Sequence, residues 1–495
     1  MPLPRKSRLS SLAAPATANR ARDRLRLIRP HESGRHGPLF PIDGPRDRRD
    51  AEHLDSRISQ YLAKQSLEDN EYWDFRIAKK RSEGRPYFQY PAMMVPRMQG
   101  ALLDAFMDSG LRQPRVLDSF AGSGTILLEA MKRGLDFCGL DVNPLAILLC
   151  RVKKGPFLVD CIEDEATSLI RRLRRADGMS PAVEFPNAGK WFSAGTIARL
   201  SRIHRAIRRI DNLTVRRFLW LALAETVRLS SNSRTSTFKL HVRPPTDLTQ
   251  DKRDAQETFE KVLARNTDLL RGQRDELREK GRLSNGHYKG TIDVRVADAA
   301  TASPFGPMSF DLVITSPPYG DNTSTVPYGQ HSYLPLQWIP FEDIGSDADP
   351  ACLTTTQEID RRSLGGSSEG AVEADTLLSE ISLTYRETID RLASQPFDRA
   401  LRVGAFTRDL HESLKTMARG LRPNGYLAAT LGNRNVGGLP VPLDRIVEEL
   451  LLSLQFVTVA SLSRRIPQKR MASRNTRGET MRSERVLVMR KVGTV

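Results

Sequence analysis

A chain of 495 residues exceeds what one hydrophobic core usually organises, so a catalytic domain with large insertions or a second small unit is expected. With 39% hydrophobic and 27% charged residues and no apolar run near the roughly 18 residues of a membrane span, the composition argues against a membrane protein. A net charge of +17 biases the surface towards polyanions, which makes nucleic acid the first candidate partner and a merely soluble basic protein its equal rival.

Residues 1–55 hold many arginines and little apolar periodicity, and read as a disordered basic arm. The first 30 residues also have the composition of an organellar transit peptide, but nothing resembles a secretory signal, so a cytoplasmic, reducing setting is expected. Cys138, Cys150, Cys161 and Cys352 form no CxxC pair, and no His cluster has metal-ligand spacing, so neither a metal site nor a disulfide framework is expected.

Residues 56–154 are assigned to the first part of a catalytic domain. Val116-Leu117, a Gly-rich turn, a helix from Thr125 to Arg133 and a strand from Phe137 to Leu140 begin a parallel α/β sheet. The strand pattern stops near Gly155. Residues 155–290 read mainly as helix, over Ile197 to Ile210, Arg216 to Leu229 and the charged stretch Asp251 to Lys280, and an insertion of that length is expected to form a separate lobe. Residues 291–495 form the second catalytic part, with strands at Ile292 to Val296, Phe310 to Thr315, Tyr426 to Leu431 and Arg485 to Met489, and a helix from Phe406 to Leu421. A mobile loop is expected over 320–375, and the Gly/Ser-rich Ser363 to Gly370 interrupts the strand pattern.

Two segments carry chemistry. In Val116 to Thr125, Asp118 and Phe120 precede Gly122 and Gly124, and a strand turning through two glycines into a helix brings backbone N–H groups close to a nucleotide. The dinucleotide loop's third glycine is missing and no GK[ST] follows, which disfavours NAD, FAD and a P-loop. Asp141, about 20 positions on at the end of the next strand, is placed to accept from both ribose hydroxyls, although an acid before Pro144 also reads as a helix cap. The second segment is Phe310 to Thr315 followed by Ser316-Pro317-Pro318-Tyr319. Consecutive prolines end the strand and hold a rigid turn at the carboxyl edge of the sheet. An ordinary proline turn with a packed tyrosine is the plain alternative.

These segments resemble motif I and motif IV of the DNA amino-methyltransferases, in which Asp, Asn or Ser precedes Pro-Pro and an aromatic residue. The resemblance implies a Rossmann-like α/β fold, here with a large mainly helical insertion, and S-adenosyl-L-methionine as cofactor. It also implies that Pro91, within Arg85 to Met98, lies by the methionine end of the cofactor, that Asp298 lies near its adenine, and that Asp118, Phe120, Gly122, Gly124, Thr125 and Asp141 complete the cofactor site. The implied catalytic group is Ser316, Pro317, Pro318 and Tyr319. A base amino group is a poor nucleophile because its lone pair is delocalised, so acceptors at Ser316 and the Pro317 carbonyl would localise it while Tyr319 stacks on the ring. The target base must then leave the duplex.

Within the resembling family serine at the first position is associated with cytosine N4 rather than adenine N6, whereas the order of the two motifs here is less typical of serine-containing members. The implied partner is DNA, with a restriction endonuclease as a candidate companion and an open oligomeric state. The insertion is the candidate target-recognition lobe. Arg199, Arg202, Arg205, Arg208 and Arg209 flank an apolar face formed by Ile197, Leu200, Ile203, Ile207 and Ile210, and face either phosphates or solvent. Ser231 to Arg234 with Lys239, His241 and Arg243 is a polar loop suited to DNA contact or to simple connection. Tyr328, Tyr333 and Trp338 either cover the flipped base or anchor a loop, and Arg464, Arg465, Lys469, Arg470 and Arg474 form a second basic run. Two rival functions remain, a transfer-RNA guanine-N2 methyltransferase and a catalytically silent DNA-binding partner subunit.

Overall fold

The computed structural model describes residues 48–69, 71–75, 86–175, 180–249, 254–301, 304–322, 325–466 and 483–493. Its framework is one seven-stranded sheet of β1 (Val116–Asp118), β2 (Phe137–Asp141), β3 (Ile292–Val296), β4 (Phe310–Thr315), β5 (Leu421–Leu431), β6 (Phe456–Arg465) and β7 (Ser483–Lys491). The spatial order is β6-β7-β5-β4-β1-β2-β3. Neighbours from β5 to β3 are parallel, and β7 lies antiparallel between β5 and β6. This is the Rossmann-like fold expected of S-adenosylmethionine-dependent methyltransferases. Strand order reverses between β1 and β4, which opens a crevice at their carboxyl ends.

Side chains alternate across the sheet with the period of two that a strand dictates. Val116, Phe137, Leu312, Ile314 and Ala428 enter one core, while Leu117, Cys138, Val313, Leu427 and Ala429 enter the other. All six residues of β4 are buried, as befits a central strand covered on both faces.

The main helices are α1 (Arg48–Glu68), α2 (Pro96–Asp108), α3 (Thr125–Arg133), α4 (Pro144–Lys153), α5 (Val159–Arg175), α6 (Ala194–Arg208), α7 (Leu213–Ser230), α8 (Ala255–Glu279), α9 (Tyr328–Gln337), α10 (Phe397–Gly420) and α11 (Leu443–Ser453), with two further helices, Ala371–Ile381 and Leu383–Leu392, and several shorter turns between them. The insertion is helical, but it is not a lobe apart. Leu200, Phe218, Trp220, Phe259 and Leu263 share one core with α2, α3, α4 and the first sheet face, because α7 is buried nearly all round and needs partners on every side.

Three boundaries differ from the sequence reading. The part of the expected arm from 48 to 55 is helical, because Ala51, Leu54, Ile58 and Leu62 recur at helical spacing and are buried. Asp55 in α1 pairs with Arg490 at 2.8 Å and accepts from the Tyr426 hydroxyl at 2.9 Å, which ties α1 to the last strands. The segment expected as a mobile loop over 320–375 is largely built of short helices, including α9, Phe341–Ile344 and Glu358–Arg362. Tyr333 and Trp338 are buried, and Trp338 stacks edgewise on Phe192 at 6.0 Å, so these two aromatics are anchors, whereas Tyr328 is half-buried and packs on Tyr90 at 5.8 Å. Strand β6 is absent from the sequence reading, and its alternation is interrupted by a register shift between Thr458 and Ala460. Within it Arg464 is only 5% exposed and pairs with Glu484 at 2.7 Å, which removes it from any phosphate-binding run. Residues 1–47, Arg85, Lys469, Arg470 and Arg474 lie outside the described residues.

Candidate active site

The two motifs meet at the carboxyl ends of β1 and β4. After β1 the chain turns through Gly122 (φ +49°) and Gly124 (φ +72°), conformations that favour glycine, and enters α3. A Cβ on Gly124 would also stand 3.0 Å from Cys150 Sγ. The ammonium of Lys153, at the end of α4, donates to the Ser123 carbonyl at 2.5 Å and props the loop from beneath. Burial lowers the Lys153 pKa to about 8. Thr125, buried at the first turn of α3, pairs its hydroxyl with Ser123 at 3.0 Å.

Asp141 closes the loop from β2. Its carboxylate accepts from the Gly122 N–H and the Asn143 N–H, each at 2.8 Å, and burial raises its pKa to about 6 against those two bonds. Asp298 follows the adjacent strand β3, and the Ala297 N–H donates to the Asp141 carbonyl at 3.1 Å, so the two acids stand at neighbouring strand ends. Burial raises the Asp298 pKa while the Ala300 N–H, donating at 2.9 Å, opposes it.

The segment with Pro91 wraps the other side of the loop. Pro91 is buried, and Tyr90 accepts from Asn143 Nδ2 at 3.2 Å and packs on Tyr328 at 5.8 Å between ring centroids. Asn143 also donates to Ser332 at 2.7 Å and caps α4 through the Leu145 N–H. Burial, with Asp141 nearby, holds Tyr90 well above the usual phenol range.

Asp118 is fully buried beneath the loop. Its Oδ1 accepts from Thr315 Oγ1 at 2.7 Å and from the Phe120 N–H at 3.1 Å, so it joins the cofactor turn to the residue preceding Ser316. Among the described residues its Oδ2 has no hydrogen-bond partner, and burial raises the Asp118 pKa to about 7. Phe120 packs partly against the second core.

Beyond Thr315, the Ser316 hydroxyl donates to the Thr430 carbonyl at 3.1 Å and lies 3.2 Å from the Tyr319 hydroxyl. Tyr319 donates to Glu484 at 3.1 Å, and burial, reinforced by that carboxylate, holds it a neutral phenol. Pro317 is buried and Pro318 half-buried. Arg434 pairs with buried Asp321 at 3.2 Å directly after the turn, and a Cβ on Gly320 would strike that guanidinium.

All the residues singled out in the two motifs therefore gather at one end of the sheet. Sequence reasoning missed Lys153, Asn143, Thr315, Ser332, Thr430 and Glu484 as parts of it. Asn143 carried a local signal as a cap before Pro144, and Glu484 carried none, standing some 165 residues from its partner.

This chain is 29% identical over 452 residues to the Type II methyltransferase M.MvaI of Kocuria varians, a match spanning 88% of this chain and 97% of the relative. A solved S-adenosylmethionine-dependent methyltransferase from Methanosarcina mazei is matched at 11% identity over 78% of this chain and 96% of that one, with a TM-score of 0.24, so the fold assignment rests on the strand order described above. No protein-family model matches the chain. Among the described residues no helix is long and apolar enough to cross a membrane.

The site suits the cofactor that this fold serves. Glycine-shaped backbone at Gly122 and Gly124 and the Asp141 carboxylate at the end of β2 offer donors and acceptors for a nucleoside joined to an amino acid.

Proposed function

We propose that this protein is a site-specific DNA methyltransferase that transfers methyl from S-adenosylmethionine to an exocyclic amino group of a base, with cytosine N4 favoured over adenine N6. The observation that carries this reading is the Ser316 to Tyr319 turn, joined to the cofactor loop by the 2.7 Å bond from Thr315 to Asp118. When bound, the cofactor supplies an electrophilic methyl on sulfur.

The chain's own residues act on the amine. Because the Ser316 proton is directed to the Thr430 carbonyl, the Ser316 oxygen presents lone pairs outward and accepts a base N–H, with the Pro317 carbonyl as the second acceptor. Two such bonds draw the nitrogen lone pair out of the ring. Tyr319, pinned at its hydroxyl by Glu484, offers its ring face for stacking. Asp141 and Asp298 hold the nucleoside end of the cofactor, while Gly122, Gly124 and Thr125 line its approach.

Support for DNA as the polymer comes from the charge of +17, the motif resemblance and the relative's description as a Type II methyltransferase. The proposed setting is the cytoplasm, with a restriction endonuclease of the same sequence preference as companion. Labelled methyl from S-adenosylmethionine should enter unmethylated duplex DNA as N4-methylcytosine, read by nucleoside mass spectrometry, and not enter bulk transfer RNA run in parallel. N6-methyladenine would overturn the choice of base, and label in RNA alone would overturn the polymer.

A further inference from the structure

We propose that the loop from Ser231 to Arg243 enters the DNA beside the target base and that Phe238 fills the space this base vacates. The inference rests on the DNA reading above and adds the residue that would work from the opposite side of the base. The loop is a short ribbon: Ser233 and Val242 bridge, the Arg234 N–H donates to the His241 carbonyl at 2.8 Å and the Arg243 N–H to the Asn232 carbonyl at 2.9 Å. Its sequence, Ser-Asn-Ser-Arg-Thr-Ser-Thr-Phe-Lys-Leu-His-Val-Arg, contains no acid. Arg234, Lys239 and His241 are exposed, and between them Phe238 leaves 36% of its surface in water. The partly exposed ring of Phe238 stands among exposed cations, with no carboxylate on the ribbon to repel a phosphate backbone. It is suited to a polyanion whose interior is a stack of flat apolar rings.

The ribbon is also held at the site. Phe238 packs edgewise on His331 at 5.4 Å, and the Leu240 N–H donates to Gln330 Oε1 at 3.3 Å, both on the first turn of α9. His331 is itself fixed by its 2.7 Å bond to the Gln89 carbonyl, next to Tyr90. The first residue of α9, Tyr328, packs on Tyr90 and lies within electrostatic reach of both Asp141 and Tyr319. The ribbon is therefore seated on the helix whose first residue packs on Tyr90, the tyrosine bonded to Asn143 beside the cofactor loop.

By contrast, three of the arginines of α6 have partners within the protein. Arg199 pairs with Asp254 at 2.7 Å, Arg208 with Glu342 at 2.6 Å, and Arg205 donates to the Ser180 carbonyl at 2.7 Å. The ribbon differs from that helix in carrying an aromatic ring among its cations and in resting on α9.

The test uses the full chain and a duplex carrying the methylated site, once that site has been mapped by sequencing. Phe238→Ala should lower kcat/KM on the paired duplex by roughly 30-fold. Activity should return to within a few-fold of wild type when the target base faces an abasic site, because that substrate has no partner base to leave. Phe238→Trp should retain activity on both. Arg234→Ala with Lys239→Ala should reduce the slope of log binding constant against log salt by about two. An equal loss on both duplexes, or none, would overturn the wedge and leave Phe238 a packing residue on His331. An unchanged salt slope would overturn the ribbon as a DNA contact. Tyr319→Ala should lose transfer to both duplexes, which separates failure of the methyltransferase reading from failure of the ribbon.

Discussion

The two turns at the crevice solve opposite problems. The cofactor turn is shaped by glycines at φ +49° and +72°, and what it presents is backbone. The Ser316 turn is shaped by two prolines, and what it presents is a hydroxyl and an aromatic ring whose directions are set by Thr430 and Glu484. The first must let a ligand approach the main chain, so any added side chain obstructs it. The second must hold side chains at fixed angles, so stiffness is its requirement. Asp118 belongs to both, reaching from beneath the first turn to Thr315 at the start of the second.

If that division of labour is correct, damage to the second turn should spare the first. Tyr319→Ala is expected to lower methyl transfer by about 10²- to 10³-fold, while calorimetric titration finds cofactor affinity unchanged. A parallel loss of cofactor binding would break the comparison.

The junction gives the next effect, and it is one of stability. Below about pH 4 both folded and unfolded chains carry the Asp118 proton. As pH rises from about 4, the unfolded chain releases it while the folded chain keeps it up to about 7, so this group's contribution to stability falls across that window and then levels. Asp118→Asn keeps an acceptor for Thr315 without the ionisation. Its unfolding free energy should gain on the wild type, on the order of 3 kcal/mol, as pH is raised from about 4 to 7 in denaturant titrations of the ligand-free protein.

Damage to the first turn should do the reverse of damage to the second. Gly124→Val meets both the left-handed backbone and Cys150 Sγ, and cofactor affinity should fall by about tenfold. DNA binding measured without cofactor should stay as it was. The smallest change sharpens the second turn alone: Tyr319→Phe keeps the stacking ring and loses the bond to Glu484, so kcat should fall about fivefold with little change in KM.

Both turns are legible in local pattern alone. A strand followed by glycines, or by Ser-Pro-Pro-Tyr, dictates its own backbone within a few residues, and the cores of β1 through β4 follow from runs such as Leu312-Val313-Ile314. What local pattern misjudges lies where distant segments decide the outcome. The Gly- and Pro-containing stretch after Tyr319 has the composition of a loop, yet Tyr333 is drawn into helix α9 and Trp338 packs at its end, because the insertion offers them apolar partners. Arg464 sits in a basic run by sequence and is buried by structure, since β7 brings Glu484 beside it.

The sequence by itself determined the two turns, the parallel sheet that carries them and the basic character of the surface, because each depends on residues close in the chain or on composition alone. Only the tertiary structure decided that Asp118 bridges the turns, that Glu484 orients Tyr319, that the insertion shares the catalytic core and that Phe238 stands on the helix beginning at Tyr328. Those facts depend on contacts between residues far apart in sequence, and such pairings are set by packing the whole sheet and its helices at once.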